Sequence, residues 1–121
     1  MTSHPTSSDL ATLVPSWLTL QEAAQQLGVS PNRLRQLARE RQIALVRLAT
    51  GDPSVPADFL QDGVIVKGLS GTLVVLADHG FSDDESVEWL FTSDDTLPGR
   101  PIDALREDRG KEVRRRAQAL V

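Results

Sequence analysis

Apolar and polar positions alternate with helical periodicity between Trp17 and Arg41. Thr19 and Glu22 have the spacing of a capping box, in which each side chain bonds the backbone amide of the other residue, so a helix is expected to begin there. Gly28 can take the left-handed conformation that ends a helix. Between these ends, the apolar residues recur at helical spacing and predict one buried stripe: Leu20, Ala23, Ala24 and Leu27.

A second helix is predicted from about Pro31 to Arg41, because Ser30 can cap it and proline is favoured at the first helical position. Three apolar residues fall on one side of this helix: Leu34, Leu37 and Ala38. At about 100° per residue, four polar side chains fall on the other side: Asn32, Arg35, Gln36 and Arg39. Two helices joined by a glycine turn in this way predict a helix-turn-helix.

The polar face of the second helix has the chemistry of a DNA-reading surface. Asn, Gln and Arg side chains carry donors and acceptors that match base edges in the major groove. Arg33 and Arg41 lie at the flanks of this face, where phosphates are the expected partners. The alternative is an ordinary helical hairpin with a solvated arginine face. The order of caps, glycine turn and polar helix favours the first interpretation, with double-stranded DNA as the partner.

The segment after this helix predicts a β-hairpin of the kind called a wing. Residues 43–48 are apolar and β-branched and predict a strand, and residues 49–53 contain the Gly, Asp and Pro of a turn. The partner strand is either the short stretch 54–55 or residues 64–66. Residues 56–60 predict a short helix after the wing.

Two side chains of this hairpin are candidate DNA contacts. Arg47 and Thr50 are expected to reach a phosphate or the minor groove, and Lys67 is a weaker candidate. Plain surface placement is the alternative for all three.

The rest of the chain, residues 68–121, predicts helices. Residues 69–79 carry apolar residues at helical spacing, a second capping-box pattern begins at Ser82, and residues 111–120 predict a last helix. The last helix contains three consecutive arginines, at 114–116. These are solvated, paired with the acidic helix that follows Ser82, or in contact with DNA.

The N-terminal residues 1–15 are rich in Ser, Thr and Pro and show no period, so a disordered tail is predicted. Its hydroxyls are candidate acceptors for a Ser/Thr kinase, which would make the protein a phosphoprotein, although nothing in the sequence selects one of them. A winged helix-turn-helix domain is predicted at residues 16–67 and a helical domain at residues 68–121. The predicted fold class is mainly α, with a short β-hairpin wing and a small helical C-terminal subdomain.

Composition narrows the class of protein. A chain of 121 residues with 40% hydrophobic residues forms one compact unit or two small subdomains that share a core. The chain contains no cysteine, which agrees with the expected cytoplasmic location. It has no secretory signal and no apolar run long enough to span a membrane.

Charge is distributed unevenly along the chain, whose formal net charge is −4. Five arginines and one acid lie between Arg33 and Arg47, whereas seven acids and no Lys or Arg lie between Asp78 and Asp95. One end of the molecule is therefore expected to attract phosphates and the other to repel them.

The sequence offers little for catalysis. His4 and His79, the two histidines, have neither metal-ligand nor triad spacing. The motifs of serine hydrolases, zinc proteases and phosphate-binding loops do not occur. The acids after Ser82 have a structural reason to lie at the start of a helix. No enzyme activity, no metal and no cofactor is therefore predicted.

The helix-turn-helix segment resembles a known group. The run TLQEAAQQLGVSPNRLRQLARER is similar to the helix-turn-helix of the MerR/excisionase-like winged-helix proteins. The run WLFTSDDTLPGRPIDALR further along resembles the C-terminal region of a small actinobacterial family of DNA-binding proteins. In that family a winged helix-turn-helix precedes a compact helical domain, and the resemblance covers about residues 16 to 120.

This resemblance implies a sequence-specific DNA-binding protein that regulates transcription. The same C-terminal run also resembles, more loosely, the toxin-binding domain of one antitoxin class. An antitoxin or adaptor that binds a protein through its C-terminal helices is therefore the alternative function, and a structural module without DNA binding is a third. Because one module reads few base pairs, a homodimer on DNA is expected. Trp89 and Phe91 would lie at the dimer interface or, alternatively, in the core.

Overall fold

The computed structural model describes residues 7–49, 51–93 and 99–120. Within these ranges the helices are α1 (Ser7–Leu13), α2 (Leu20–Leu27), α3 (Pro31–Arg39), α4 (Leu69–Asp78), α5 (Asp83–Phe91), α6 (Pro101–Arg106) and α7 (Gly110–Gln118). The strands are β1 (Trp17–Thr19), β2 (Val46–Arg47), β3 (Pro53–Pro56), β4 (Leu60–Gln61) and β5 (Val64–Ile65), and a 3₁₀ turn covers Ala57–Phe59. The predicted mainly α fold with a small hairpin is confirmed.

A three-stranded antiparallel sheet contains the wing. Strand β3 lies in the centre, between β1 and β2. Val46 aligns with Ser54 across the β2–β3 hairpin, so the stretch at 54–55 is the partner strand. The other candidate partner strand pairs elsewhere, because Ile65 aligns with Leu60 in a separate two-stranded hairpin. We use "the wing" for residues 46–56.

Strand β1 was not predicted from the sequence. Leu18 aligns with Val55 of β3, and Thr19, the last residue of the strand, caps α2. Three residues are too few for an alternating pattern to show. The strand forms because the edge of β3 offers unpaired backbone groups.

The prediction of a disordered tail is wrong from Ser7 onward. Helix α1 covers residues 7–13, and its side chain Leu10 and the following Val14 are each 1% exposed. The helix packs against α5. The apolar side chains at 10, 13 and 14 have helical spacing, which the Ser- and Thr-rich composition obscured. Residues 1–6 lie outside the described part of the chain.

Helix α3 ends two residues earlier than predicted. Glu40 is its C-cap, and Arg41 takes a left-handed conformation with φ of 59°. The Arg41 amide donates to the Ala38 carbonyl at 3.1 Å and the Gln42 amide donates to the Leu37 carbonyl at 2.9 Å. This is the Schellman pattern, with arginine at the position where glycine is usual.

The core runs without interruption from the helix-turn-helix into the C-terminal helices. Phe59, from the 3₁₀ turn after the wing, lies with its ring centroid 5.7 Å from that of Phe91 on α5. Arg106 on α6 donates through Nη1 to the carbonyls of Asp58 and Leu60, each at 2.8 Å. Phe91 is therefore a core residue rather than a dimer contact.

Trp89 packs half-buried against the same core. None of the helices in the described ranges has the length and apolar character needed to cross a membrane.

Candidate nucleic-acid interface

The turn between α2 and α3 is fixed by local hydrogen bonds. The Glu22 amide donates to Thr19 Oγ1 at 3.0 Å, and the Thr19 amide donates to Glu22 Oε1 at 2.8 Å, which confirms the predicted capping box. Gly28 has φ of 71° and ends α2. The Arg33 amide donates to Ser30 Oγ at 3.0 Å, which caps α3 as predicted. These bonds set the angle at which α3 leaves the turn.

Helix α3 separates a buried face from a polar one. Leu34 is 0% and Leu37 is 9% exposed, so this side is anchored in the core. All polar positions of the helix that were predicted to contact DNA are exposed: Asn32, Arg33, Arg35, Gln36 and Arg39. The helix has 9 residues and is about 13 Å long, and the major groove is about 12 Å wide. The polar face is thus long enough to cross a major groove.

The arginines of this face are not neutralised by any residue that the structure describes. Within the described ranges, Arg33, Arg35 and Arg39 take part in no ion pair, so their guanidinium donors remain available. Gln36 Nε2 donates to Glu40 Oε2 at 3.2 Å, and this single exposed bond would have to break for Gln36 to bond a base. The surface therefore combines free cations with one amide held in a weak local contact.

Arg35 lies where α3 meets the wing. It lines a cleft of about 280 Å³ together with residues from the start of α2 and from the turn end of the wing: Thr19, Leu20, Gln21, Asp52 and Pro53. The polar face of α3 and the wing thus border one continuous surface. Gln21 belongs to it and was not a sequence candidate. Its position in the first turn of α2, beside the amides of a helix start, could have indicated it.

The predicted flanking contacts have different outcomes. Arg47 is exposed on β2 and donates to the Gly51 carbonyl across the wing, so it both folds the hairpin and carries a surface charge. Thr50 lies outside the described residues. Arg41 was predicted to lie on the helix, but it follows the end of α3.

Arg41 lines a second cleft, of about 250 Å³, whose other walls come from the strand-side core and from α4 and α5: Ile43, Leu73, Ala77, Phe81, Ser82, Asp83 and Ser86. The left-handed backbone at Arg41 turns the chain toward the C-terminal helices there. Lys67 lies apart from α3, exposed beside Asp108, with Nζ 3.6 Å from Oδ1. Neither Arg41 nor Lys67 therefore lies on the polar face of α3.

Family models match both parts of the chain. Residues 3–60 match the winged helix-turn-helix domain of the DNA-binding protein Rv2175c, and residues 66–121 match the Rv2175c C-terminal domain of unknown function. The chain is 37% identical over 113 residues to the DNA-binding protein Rv2175c of Mycobacterium tuberculosis, covering 84% of this chain and 77% of that protein. The chain belongs to the Rv2175c family.

A solved structure of the Rv2175c family agrees with the fold. The NMR structure of Rv2175c superposes with a TM-score of 0.78 at 37% identity, covering 86% of this chain and 80% of that one. The resemblance to a small actinobacterial winged helix-turn-helix family is thereby confirmed. The narrower likeness to MerR and excisionase proteins stays a prediction. Helices α4 to α7 correspond to the Rv2175c domain of unknown function.

Proposed function

We propose that this protein binds double-stranded DNA in a sequence-specific manner and regulates transcription. The observation that carries the proposal is the exposed polar face of α3, whose arginines pair with no described acid and which adjoins the wing. The relative from Mycobacterium tuberculosis is named a DNA-binding protein, which supports the same function here. A DNA-binding role agrees with the expected cytoplasmic location and gives no reason to expect catalysis.

In the proposed complex, α3 enters a major groove. Four side chains read bases: Asn32, Arg35, Gln36 and Arg39. Arg33 and Arg47 hold phosphates beside this face. Arg41, which follows α3, is proposed to hold a further phosphate from outside the face. Thr50 is the proposed additional wing contact. Arginine is suited to a bidentate contact with guanine and asparagine or glutamine to one with adenine, so this face has donors and acceptors for more than one base type.

Duplex selection with the purified protein, followed by fluorescence anisotropy across a salt series, tests the proposal. Arg35→Ala and Arg39→Ala are each expected to cost roughly 1–3 kcal/mol on the selected site and to relax the preference at one position. Arg33→Ala is the matched control, because loss of a phosphate contact weakens binding to all sequences about equally. With Arg33, Arg41, Arg47 and the amides at the start of α3 holding about four phosphates, log K should fall with log salt with a slope near −3 to −4.

Two results would contradict this function. A slope near zero would mean that arginines do not hold phosphates. Failure to bind any duplex at low salt would redirect attention to the alternative, an antitoxin or adaptor that binds a protein through its C-terminal helices. Co-purification of a protein partner would support that alternative.

Pairing on DNA and control by a kinase belong to the same proposal. Two copies on adjacent half-sites would read more base pairs than one, and half-site spacing near a whole helical turn is the expected mark of such a pair. The candidate hydroxyls belong to Thr2, Ser3, Thr6, Ser7, Ser8 and Thr12. The first three lie outside the described residues, the other three belong to helix α1, and nothing in the structure selects one of them. Phosphorylation by a Ser/Thr kinase therefore stays a prediction, to be tested by mass spectrometry of the protein from cells.

A further inference from the structure

Helix α7 carries a row of cations that the winged helix-turn-helix does not use. Val113 and Ala117 are fully buried and fix the inward face of α7, which packs on α4 and α6. At about 100° per residue, Lys111, Arg114 and Arg115 extend around the outer side, and all three are exposed. We call these three residues the basic row.

The acids near the basic row are already occupied by other cations. Arg109 Nη2 lies 2.9 Å from Glu112 Oε2, and Arg109 Nη1 lies 3.1 Å from Glu107 Oε1. Asp108 is the partner of Lys67. In the part of the chain that the structure describes, no residue of the basic row forms an ion pair. The acidic helix α5 does not neutralise it, so that sequence-based alternative is not observed among these residues.

The helix itself explains only part of this charge. Cations are stabilised in the last turn of a helix, where Arg115 and Arg116 lie. Lys111 is the second residue of α7, at the positive end of the helix dipole, where a cation is unfavourable. Lys111 therefore opposes the helix dipole and forms no ion pair with any residue that the structure describes, which favours an anion from outside the chain.

The surroundings of the basic row are open enough for phosphates. A cleft of about 500 Å³ beside it is lined by four cationic side chains, two carboxylates and two glycines: Lys67, Arg109, Lys111, Arg114, Asp108, Glu112, Gly68 and Gly110. Gly68 and Gly110 bring the starts of α4 and α7 together, since a Cβ added at Gly68 would lie 3.4 Å from the Gly110 Cα. The close approach holds Lys67 and Lys111 on one surface.

We propose that the basic row binds the phosphate backbone of duplex DNA and is a second DNA contact surface, located in the C-terminal domain. Four residue steps of helix separate Lys111 from Arg115, or about 6 Å along the axis. Each strand of a duplex presents a phosphate every 3.4 Å or so of its axis, so the row spans about two phosphates of one strand. The contact is independent of base sequence. This inference rests on the proposed function of α3.

The triple variant Lys111→Gln, Arg114→Gln and Arg115→Gln tests the proposal in the full-length protein. Glutamine has a helix propensity close to that of lysine and arginine, so α7 should stay folded, which thermal unfolding will check. On a duplex of about three helical turns, each lost phosphate contact should reduce the steepness of the salt slope by about one. The preferred base sequence should not change, because α3 is intact.

A matched pair of single variants shows whether the effect depends on the position of the lost charge or only on the loss of a charge. Arg115→Gln and Arg116→Gln remove the same charge from neighbouring positions, but Arg116 points about 100° further round the helix, beyond the basic row. We expect Arg115→Gln alone to reduce the slope. Equal effects of the two variants, or an unchanged slope in the triple variant, would overturn the proposal.

Further outcomes distinguish the source of the phosphates and the failure of each proposal. If the wild-type protein captures two differently labelled duplexes together and the triple variant does not, the basic row binds a second duplex. If no such co-capture occurs but the triple variant still shows the reduced salt slope, the row binds the same duplex as α3. Self-association without DNA that is lost in the triple variant would instead assign the row to a second copy and overturn the proposal. If the wild type selects no motif, sequence reading by α3 fails, while the slope comparison still tests the row.

Discussion

Gly28 holds the turn between α2 and α3 in a backbone conformation that side chains disfavour. Its φ is 71°, and a Cβ added there would meet nothing within 4 Å. The penalty for Gly28→Ala is therefore backbone strain alone, and we expect the free energy of unfolding in urea to fall by about 1–2 kcal/mol. Retention of wild-type stability would contradict this assignment.

Gly71 is the control for that substitution. It lies inside α4, and a Cβ there would make ordinary contacts, the nearest at 3.8 Å from Arg114 Nη1. Alanine is preferred to glycine in a helix interior by about 0.5–1 kcal/mol, so Gly71→Ala should raise stability by that amount. If alanine lowers the free energy of unfolding at position 28 and raises it at position 71, the backbone conformation of each glycine, and not the size of the added side chain, determines the effect.

Two carboxyl groups should give the stability opposite pH dependences. The pKa of Asp103 lies below its ordinary value of 3.8, chiefly because the Arg100 side chain donates hydrogen bonds to it. A lowered pKa in the folded state stabilises the protein above the unfolded pKa, and this stability is lost as the pH falls through the folded value. Asp103→Asn should therefore lower stability by about 1 kcal/mol at neutral pH and by progressively less in acid. Urea unfolding between pH 7 and pH 3 would measure the difference.

The contribution of Asp84 to stability depends on pH in the opposite direction. Burial, and then the charges of Asp83 and Glu85, raise the pKa of Asp84 above its ordinary value of 3.8. A raised pKa favours the folded state below the unfolded pKa, and this contribution is lost as the pH rises through the folded value. Asp84→Asn should thus gain stability relative to the wild type as the pH rises. If the stability of both variants relative to the wild type changed with pH in the same direction, the environments assigned to Asp84 and Asp103 would be wrong.

Local chemistry made several residue roles predictable and left others hidden. Ser30, Gly28 and the capping-box pair act through neighbours within a few positions, so their sequence pattern is sufficient. Arg41 could not be assigned in this way. Its left-handed conformation replaces the usual glycine, and only the packing of the C-terminal helices around it shows why the chain turns there.

At the scale of elements, the C-terminal helix α6 is tied to the base of the wing. Arg106 Nη1 bridges the carbonyls of Asp58 and Leu60, which follow the last wing strand. Arg100, at the start of α6, adds a contact to Asp58, with its Nη2 3.8 Å from Oδ2. These two arginines join the C-terminal helices to the segment that positions β3.

Arg106→Gln should therefore destabilise the whole protein. Two half-buried carbonyls lose a charged donor, at a cost of about 1–3 kcal/mol. Arg116→Gln is the matched control, because Arg116 is exposed and should change stability by less than about 0.5 kcal/mol. Chemical unfolding of both variants measures this, and equal stabilities would show that the link between α6 and the wing contributes nothing.

Elements with strong periodicity were predictable, whereas short ones were not. The two helices of the helix-turn-helix follow from apolar spacing and caps, α5 from its capping box, and α4 and α7 from apolar spacing. Strand β1 has three residues and becomes a strand only because β3 lies beside it. Helix α1 needs α5 as a surface on which to bury Leu10. Such elements depend on partners distant in sequence, and no local pattern contains that information.

At the scale of the molecule, opposite charges occupy different parts of one compact structure. Arginines that form no ion pair with any described residue lie on the α3 face, and the basic row lies on α7. The acids begin with Asp78 at the end of α4 and continue along α5, where Asp83 is exposed and the other acids are half-buried. The sequence predicts this separation of charge along the chain. How far apart the charges lie in space follows only from the packing of α4 and α5, which long-range contacts determine.

Neutralising part of the acidic region should weaken discrimination between DNA sequences. Asp78→Asn with Glu88→Gln removes two negative charges outside the helix caps, so the fold should be preserved. Binding to a duplex of unrelated sequence should tighten by roughly tenfold or less at low ionic strength, because less repulsion opposes approach in wrong orientations. The effect should vanish at high salt, where charges beyond the Debye length are screened. A change that persists at high salt would mean that these acids act through direct contacts rather than through the field of the whole molecule.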